Sequence, residues 1–218
     1  MKYNYLKKAF TLAEVLITLG IIGVVAALTL PALIQNHKKQ VYVNQLKKVV
    51  NILENAARMA VAQEGVSSFK ESEFYCKFLD FYVCGEEKEL SKRDEIAKKY
   101  FKYVSFVNNL TNSYVKKDLI TNQDVYLYGS EMVLADGAVI VTTSFNSNSG
   151  YFVDVNGDKG PNVIGRDVFL IHLNADGIVE EHDISYYGYT CKNVSESQYL
   201  EKGCYYSKIV ADGWKMNY

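Results

Sequence analysis

Glu14 is the residue of this chain whose setting most demands a chemical explanation. It stands near the start of "FTLAEVLITLGIIGVVAALTLPALI", residues 10–34, and the twenty residues from Val15 to Ile34 carry no charge. A carboxylate carried into hydrocarbon costs about 2.5–3.5 kcal/mol on insertion scales, so it calls for a cation or water beside it. Lys7 and Lys8 precede it and can reach toward it along the same segment. The residue type and its isolation point to charge pairing in an apolar medium.

Three other groups have side chains that do chemistry. In "DVNGDKGPNVIGRD", residues 154–167, Asp154, Asn156 and Asp158 follow the spacing of the first three oxygen ligands of a calcium loop. Lys159 stands where such a loop needs glycine and Gly165 where it needs a bidentate glutamate. The same residues also serve any surface turn. Cys76, Cys84, Cys191 and Cys204 form two locally spaced couples with no C-x-x-C among them. Four cysteines allow three connectivities, of which short loops favour Cys76–Cys84 with Cys191–Cys204; free buried thiols are the alternative. Two disulfides place residues 35–218 in an oxidising compartment. His37, His172 and His182 lack metal-ligand spacing, and His172 alternates with Phe169 and Ile171 at a half-exposed strand position. No serine, cysteine or histidine set makes a nucleophile, so no enzyme activity and no cofactor beyond calcium is expected.

These groups need elements to hold them. As a helix, Val15–Ile34 runs about 30 Å, the thickness of a hydrocarbon core. A signal peptide's apolar core is shorter, about 7–15 residues. No small-x-small site closes this run either, since Pro31 and "QNHKKQ" follow. A membrane helix is expected. Lys2, Lys7 and Lys8 before it nearly balance Lys38, Lys39, Lys47 and Lys48 after it, so the positive-inside rule leaves its orientation to the cysteines.

Beyond Pro31 the apolar pattern becomes one-sided. Tyr42, Leu46, Val49, Val50, Leu53, Ala56, Ala57 and Ala60 recur at helical spacing, which predicts one helix from Phe10 to about Gln63 with Gly65 as its stop. Its second half packs on a globular head. In residues 66–124, "RDEIAKKYFKYVSFV" reads as a short amphipathic helix and "FYCKFLDFYVC" as a strand or loop. From residue 125 strands dominate: "EMVLADGAVIVTTSF" is a hairpin whose Asp136-Gly137 suits a type I′ turn, and Asp176-Gly177 turns "DVFLIHL" into "IVEEHD". Local turns imply an antiparallel meander with the amphipathic helix over its apolar face. Eighteen tyrosines fit a β-rich part, and a net charge of −1 gives no ground for direct nucleic-acid binding. Trp214 in "DGWKMNY" is expected to pack the tail onto the head.

Two lysines, the small Ala9, then Phe-Thr-Leu-Ala-Glu and an apolar run together resemble the start of a type IV prepilin or a type II secretion pseudopilin. The resemblance implies cleavage between Ala9 and Phe10 by a prepilin peptidase, N-methylation of Phe10, and pairing of Glu14 with the ammonium of a neighbouring subunit. Gly23 and Pro31 fall where the family weakens its helix; Ala9 stands where the family usually has glycine. Some pseudopilins hold calcium in a loop of the head, and the resemblance implies Asp167 as the residue that would close such a site with Asp154, Asn156 and Asp158. The implied plan is a leader at 1–9, a transmembrane and assembly helix at 10–34, the amphipathic half of the helix at 35–64 and a pilin-like α+β head at 65–218. It implies a filament or pseudopilus subunit in the bacterial inner membrane, head outside the cytoplasm. Its partners would be the peptidase, copies of itself or other pilin-like subunits, an inner-membrane assembly platform and lipid. A membrane-anchored ligand-binding domain that never polymerises is the alternative, and it requires neither the cut site nor Glu14.

Overall fold

The structure, a computed structural model, describes residues 10–76, 90–107, 113–119, 122, 124–128, 130–145, 148–182, 191 and 193–218. The chain divides between Lys39 and Gln40 into two units.

The first unit is helical from Leu12, the start of α1 (Leu12–Glu64). Its apolar side chains are turned outward: Leu16 is 61% exposed, Ile22 62% and Leu28 75%. Among the described residues α1 is the one helix long and apolar enough to cross a membrane, and none of its most apolar stretch is buried in protein. Gly23 and Pro31 both lie within the helix without interrupting it. Its threonine hydroxyls are satisfied from within: Thr18 Oγ1 donates to the carbonyls of Glu14 and Val15, and Thr29 Oγ1 donates to Val25. In hydrocarbon, where water cannot serve them, such bonds remove the cost of the hydroxyl.

In the second unit the remainder of α1 buries Tyr42, Val43, Leu46, Val49, Val50, Leu53, Ala56, Ala57 and Ala60, the stripe expected from the 3.6-residue period with Val43 added. Gly65 ends the helix in the left-handed region (φ 67°), its N–H on the Val61 carbonyl at 3.1 Å. The helix α2 (Leu90–Tyr100) is shorter than the segment suggested, because "YVSFV" leaves it as β1 (Tyr103–Val107). Phe101 N–H still bonds back to Ala97 at 2.8 Å, and only then does the chain extend. The β-branched and aromatic alternation of residues 103–107 decides for strand.

The other strands are β2 (Ser113–Asp118), β3 (Asp124–Tyr128), β4 (Ser130–Leu134), β5 (Val139–Phe145), β6 (Asn148–Asp154), β7 (Val163–Ile164), β8 (Val168–Leu173) and β9 (Val179–Glu181). They form one sheet in the order β1-β4-β5-β6-β8-β7-β2-β3, with β9 also on β8. β4, β5, β6 and β8 make the expected antiparallel run. The sheet is nevertheless mixed, because β7 pairs in parallel with both β2 and β8. A two-residue strand inside a tight loop can bridge neighbours whose directions a meander would not allow.

The turn of the first hairpin also differs from expectation. Gly137 N–H donates to Leu134 O at 2.9 Å and Leu134 N–H to Ala138 O at 2.8 Å, so Ala135-Asp136-Gly137 is a three-residue loop with its glycine at φ 89°. Asp136 has no positive φ, which excludes type I′. Ala175-Asp176-Gly177 repeats the arrangement, with Gly177 N–H on Asn174 O at 3.0 Å. In both, the residue before Asp-Gly is taken into the loop by the strand register.

One core joins the α1 stripe to Phe69, Phe74, Met132, Ile140, Phe152, Phe169, Ile171 and α3 (Tyr205–Ala211). Cys191 and Cys204 are joined in a disulfide, Cα atoms 5.7 Å apart, at the start of α3. Closing a loop of this size stabilises by about 3 kcal/mol in the chain-entropy account. Cys76 is disulfide-bonded too, and Cys84, its expected partner, lies outside the described residues. Trp214 packs edge-on to Tyr206 with Lys47 Nζ 5.0 Å above its ring, which holds the tail against α1.

Candidate assembly site at the helix N-terminus

Helix α1 begins with a capping box. Thr11 lies just before the first helical residue, and its Oγ1 accepts the N–H of Glu14 at 3.2 Å. Glu14 Oε2 in turn accepts the Thr11 N–H at 2.8 Å and the Thr11 hydroxyl at 2.9 Å. Two N–H groups that a helix start leaves without partners are thereby satisfied reciprocally. The pair also fixes the carboxylate at the first turn, where the helix dipole favours a negative charge.

One acceptor remains. Among the described residues Glu14 Oε1 takes no hydrogen bond, and the side chain is exposed. Phe10, 88% exposed, precedes the box, while Ala9, Lys7 and Lys8 lie outside the described residues. The geometry presents an anion oriented on one side and open on the other, as recognition of an external ammonium requires. Thr11 is the member of this site that the charge-based reading of the sequence missed. Its signal was legible, since T-x-x-E before an apolar run marks a helix start.

The loop at 154–167 uses its oxygens internally. Asp154 Oδ2 accepts Lys116 Nζ at 2.5 Å, and both side chains are buried. Asp154 Oδ1 takes the Asn156 N–H at 3.3 Å, and Asn156 Nδ2 donates to Gly160 O at 2.8 Å. Asp167 accepts the N–H of Asn162 at 2.9 Å and of Val163 at 2.7 Å, one on each oxygen. Asp158 lies in a 3-10 turn, Gly157–Lys159, its side chain outside the description. Burial pushes the Asp154 carboxyl above the usual aspartate range, although the Lys116 contact works against it. Calcium would therefore have to displace an ammonium from Asp154 and share the Asp167 oxygens with two amides. Among the described residues no group of three or more histidine, cysteine, aspartate or glutamate side chains is placed to hold a metal ion. The donor set fits turn closure and an internal cation better than calcium.

His172 and His182 lie edge to face with ring centroids 5.5 Å apart, and His172 Nε2 is 3.9 Å from Glu180. His37 belongs to the other unit.

Comparison with known proteins bears on the N-terminal site. The family described as the prokaryotic N-terminal methylation motif matches residues 5–30, the prepilin-type signature, and so includes Phe10, Thr11 and Glu14. Neither the curated proteins nor the solved structures give a match to the chain. The match covers residues 5–30 of the 218, so it identifies the N-terminal signature and not the head.

Proposed function

We propose that the chain is a structural subunit of a type IV pilus or type II secretion pseudopilus, cut between Ala9 and Phe10 and polymerised through residues 10–34. The observation that carries this reading is the half-satisfied Glu14 carboxylate within the methylation signature. Cleavage frees an ammonium on Phe10. In a filament that ammonium meets Glu14 of a neighbour, replacing an isolated charge in low dielectric with a paired one. Unpaired buried charges are strongly destabilising and well-bonded pairs are tolerated, so the contact favours one register of packing. The peptidase and the assembly platform belong to the inner membrane, and the head lies outside the cytoplasm, where the Cys191–Cys204 bond can persist.

The mature N-terminus tests the reading. Intact-mass measurement of assembled material from the native host is expected to show loss of residues 1–9 and gain of one methyl group on Phe10. Assembled protein that still begins at Met1 would overturn it. A domain that is merely anchored would keep its leader and remain outside any filament.

A further inference from the structure

Lys116 is a buried nucleophile that assembly leaves without a role. Its side chain is 8% exposed and that of Asp154 6%. The other close lysine–aspartate pairs among the described residues sit in contact with water: Lys98–Asp94 at 66% and 35%, Lys48–Asp136 at 58% and 26%, Lys208–Asp212 at 25% and 15%. Around Lys116 little side-chain surface meets solvent. The electrophile in contact with its amine is the carboxyl carbon of Asp154.

We propose that Lys116 and Asp154 condense into an intramolecular isopeptide bond. Four features carry this. Nζ lies 2.5 Å from Oδ2, which brings it toward the near-attack range of the carboxyl carbon, roughly 3–3.5 Å. Both ends are held by the sheet, Lys116 paired with Val125 in the β2–β3 ladder and Asp154 with Val139 and Val168 on either side. The neighbouring carboxylates are committed elsewhere: Asp118 accepts the Tyr205 hydroxyl at 3.1 Å, and Asp167 holds two amides. Burial, with a smaller push from the charge of Asp167, raises the Asp154 carboxyl against the pull of Lys116, which is the direction of the neutral acid that the condensation needs.

The reaction needs no further reagent. The ammonium first gives a proton to the carboxylate, and the free amine attacks Cγ. The Nζ–Cγ bond forms and one Cγ–O bond breaks. That oxygen leaves as water with both protons lost from Nζ, so Lys-NH3+ and Asp-COO− become an amide and one water. β2 and β6 are not neighbours, since β8 and the two-residue β7 lie between them. The bond would brace the sheet across its shortest strand.

Mass spectrometry of the full-length chain, extracted from membranes, reduced, alkylated and denatured, decides the matter. The expected result is a chain lighter by one water, with a branched peptide linking Lys116 to Asp154 after digestion. Lys116→Arg and Asp154→Ala should each restore the full mass. An unmodified wild-type mass overturns the proposal and leaves an ion pair. So does a water loss confined to an aspartyl-glycine peptide such as Asp136-Gly137, which would be a succinimide.

Discussion

Thr11 and Glu14 exchange hydrogen bonds in both directions, the Thr11 N–H to Glu14 Oε2 at 2.8 Å and the Glu14 N–H to Thr11 Oγ1 at 3.2 Å. The residue proposed to pair between subunits is therefore also a cap within its own helix. The two roles use different oxygens, so capping orients the carboxylate without consuming it.

Substitution separates these roles. Glu14→Val removes a charge from an apolar segment, so insertion should become easier and cleavage at Ala9–Phe10 should persist. Incorporation into sheared filaments or the secretion complex should be lost. Thr11→Val keeps the charge and removes the hydroxyl, at a cost to the helix start of about 0.5–2 kcal/mol. Its filament yield should fall between wild type and Glu14→Val. Wild-type assembly of a fully processed Glu14→Val protein would refute the charge-pairing mechanism.

Asp136 predicts a pH dependence. Burial raises its pKa, but the Lys48 bond at 2.7 Å and the Ala138 N–H at 3.3 Å outweigh it, and the net direction is down. A depressed carboxylate contributes stability that is complete above the ordinary aspartate value, about 3.9, and is lost as pH falls through the lower folded value. For a partly exposed pair the contribution is about 0.2–1 kcal/mol. Thermal melts should show Asp136→Asn less stable than wild type at neutral pH, with the gap closing in strong acid. A gap that widens in acid would show the sign to be wrong.

Two glycines with the same φ of 89° should respond unequally to alanine. A Cβ at Gly165 would come within 2.6 Å of the Tyr205 ring, whereas one at Gly137 meets nothing within 4 Å. Gly137→Ala should cost only left-handed strain, about 1–2 kcal/mol. Gly165→Ala adds overpacking of about 1–3 kcal/mol. Denaturant melts that ranked them in reverse would contradict the close approach of α3 to this loop.

Calcium should leave the head unchanged. With Lys116 on Asp154 and two amides on Asp167, Asp158→Ala is expected to shift the melting temperature equally in calcium and in chelator. A shift seen only with calcium would mean that the ion reaches the oxygens of this loop despite these contacts.

What could be read along the chain was set by contacts a few residues long. The stripe from Tyr42 to Ala60 follows from 3.6 residues per turn, the stop at Gly65 from a backbone that lacks Cβ, and the Thr11–Glu14 box from a three-residue spacing. The membrane run needed only its length and lack of charge. Other features depend on partners that no local spacing specifies. Lys116 meets Asp154 across 38 residues, and the parallel pairing of β7 with β2 depends on how the loop from Asn156 to Asp167 folds back. The same holds for the turns: Asp-Gly permits both a two-residue and a three-residue loop, and the β4–β5 register chose the latter. Calcium-like spacing at 154–158 was a true local pattern, but the charge that answers Asp154 came from another strand. Local periodicity determines which residues face inward; which buried charges meet is decided only when the sheet closes over them.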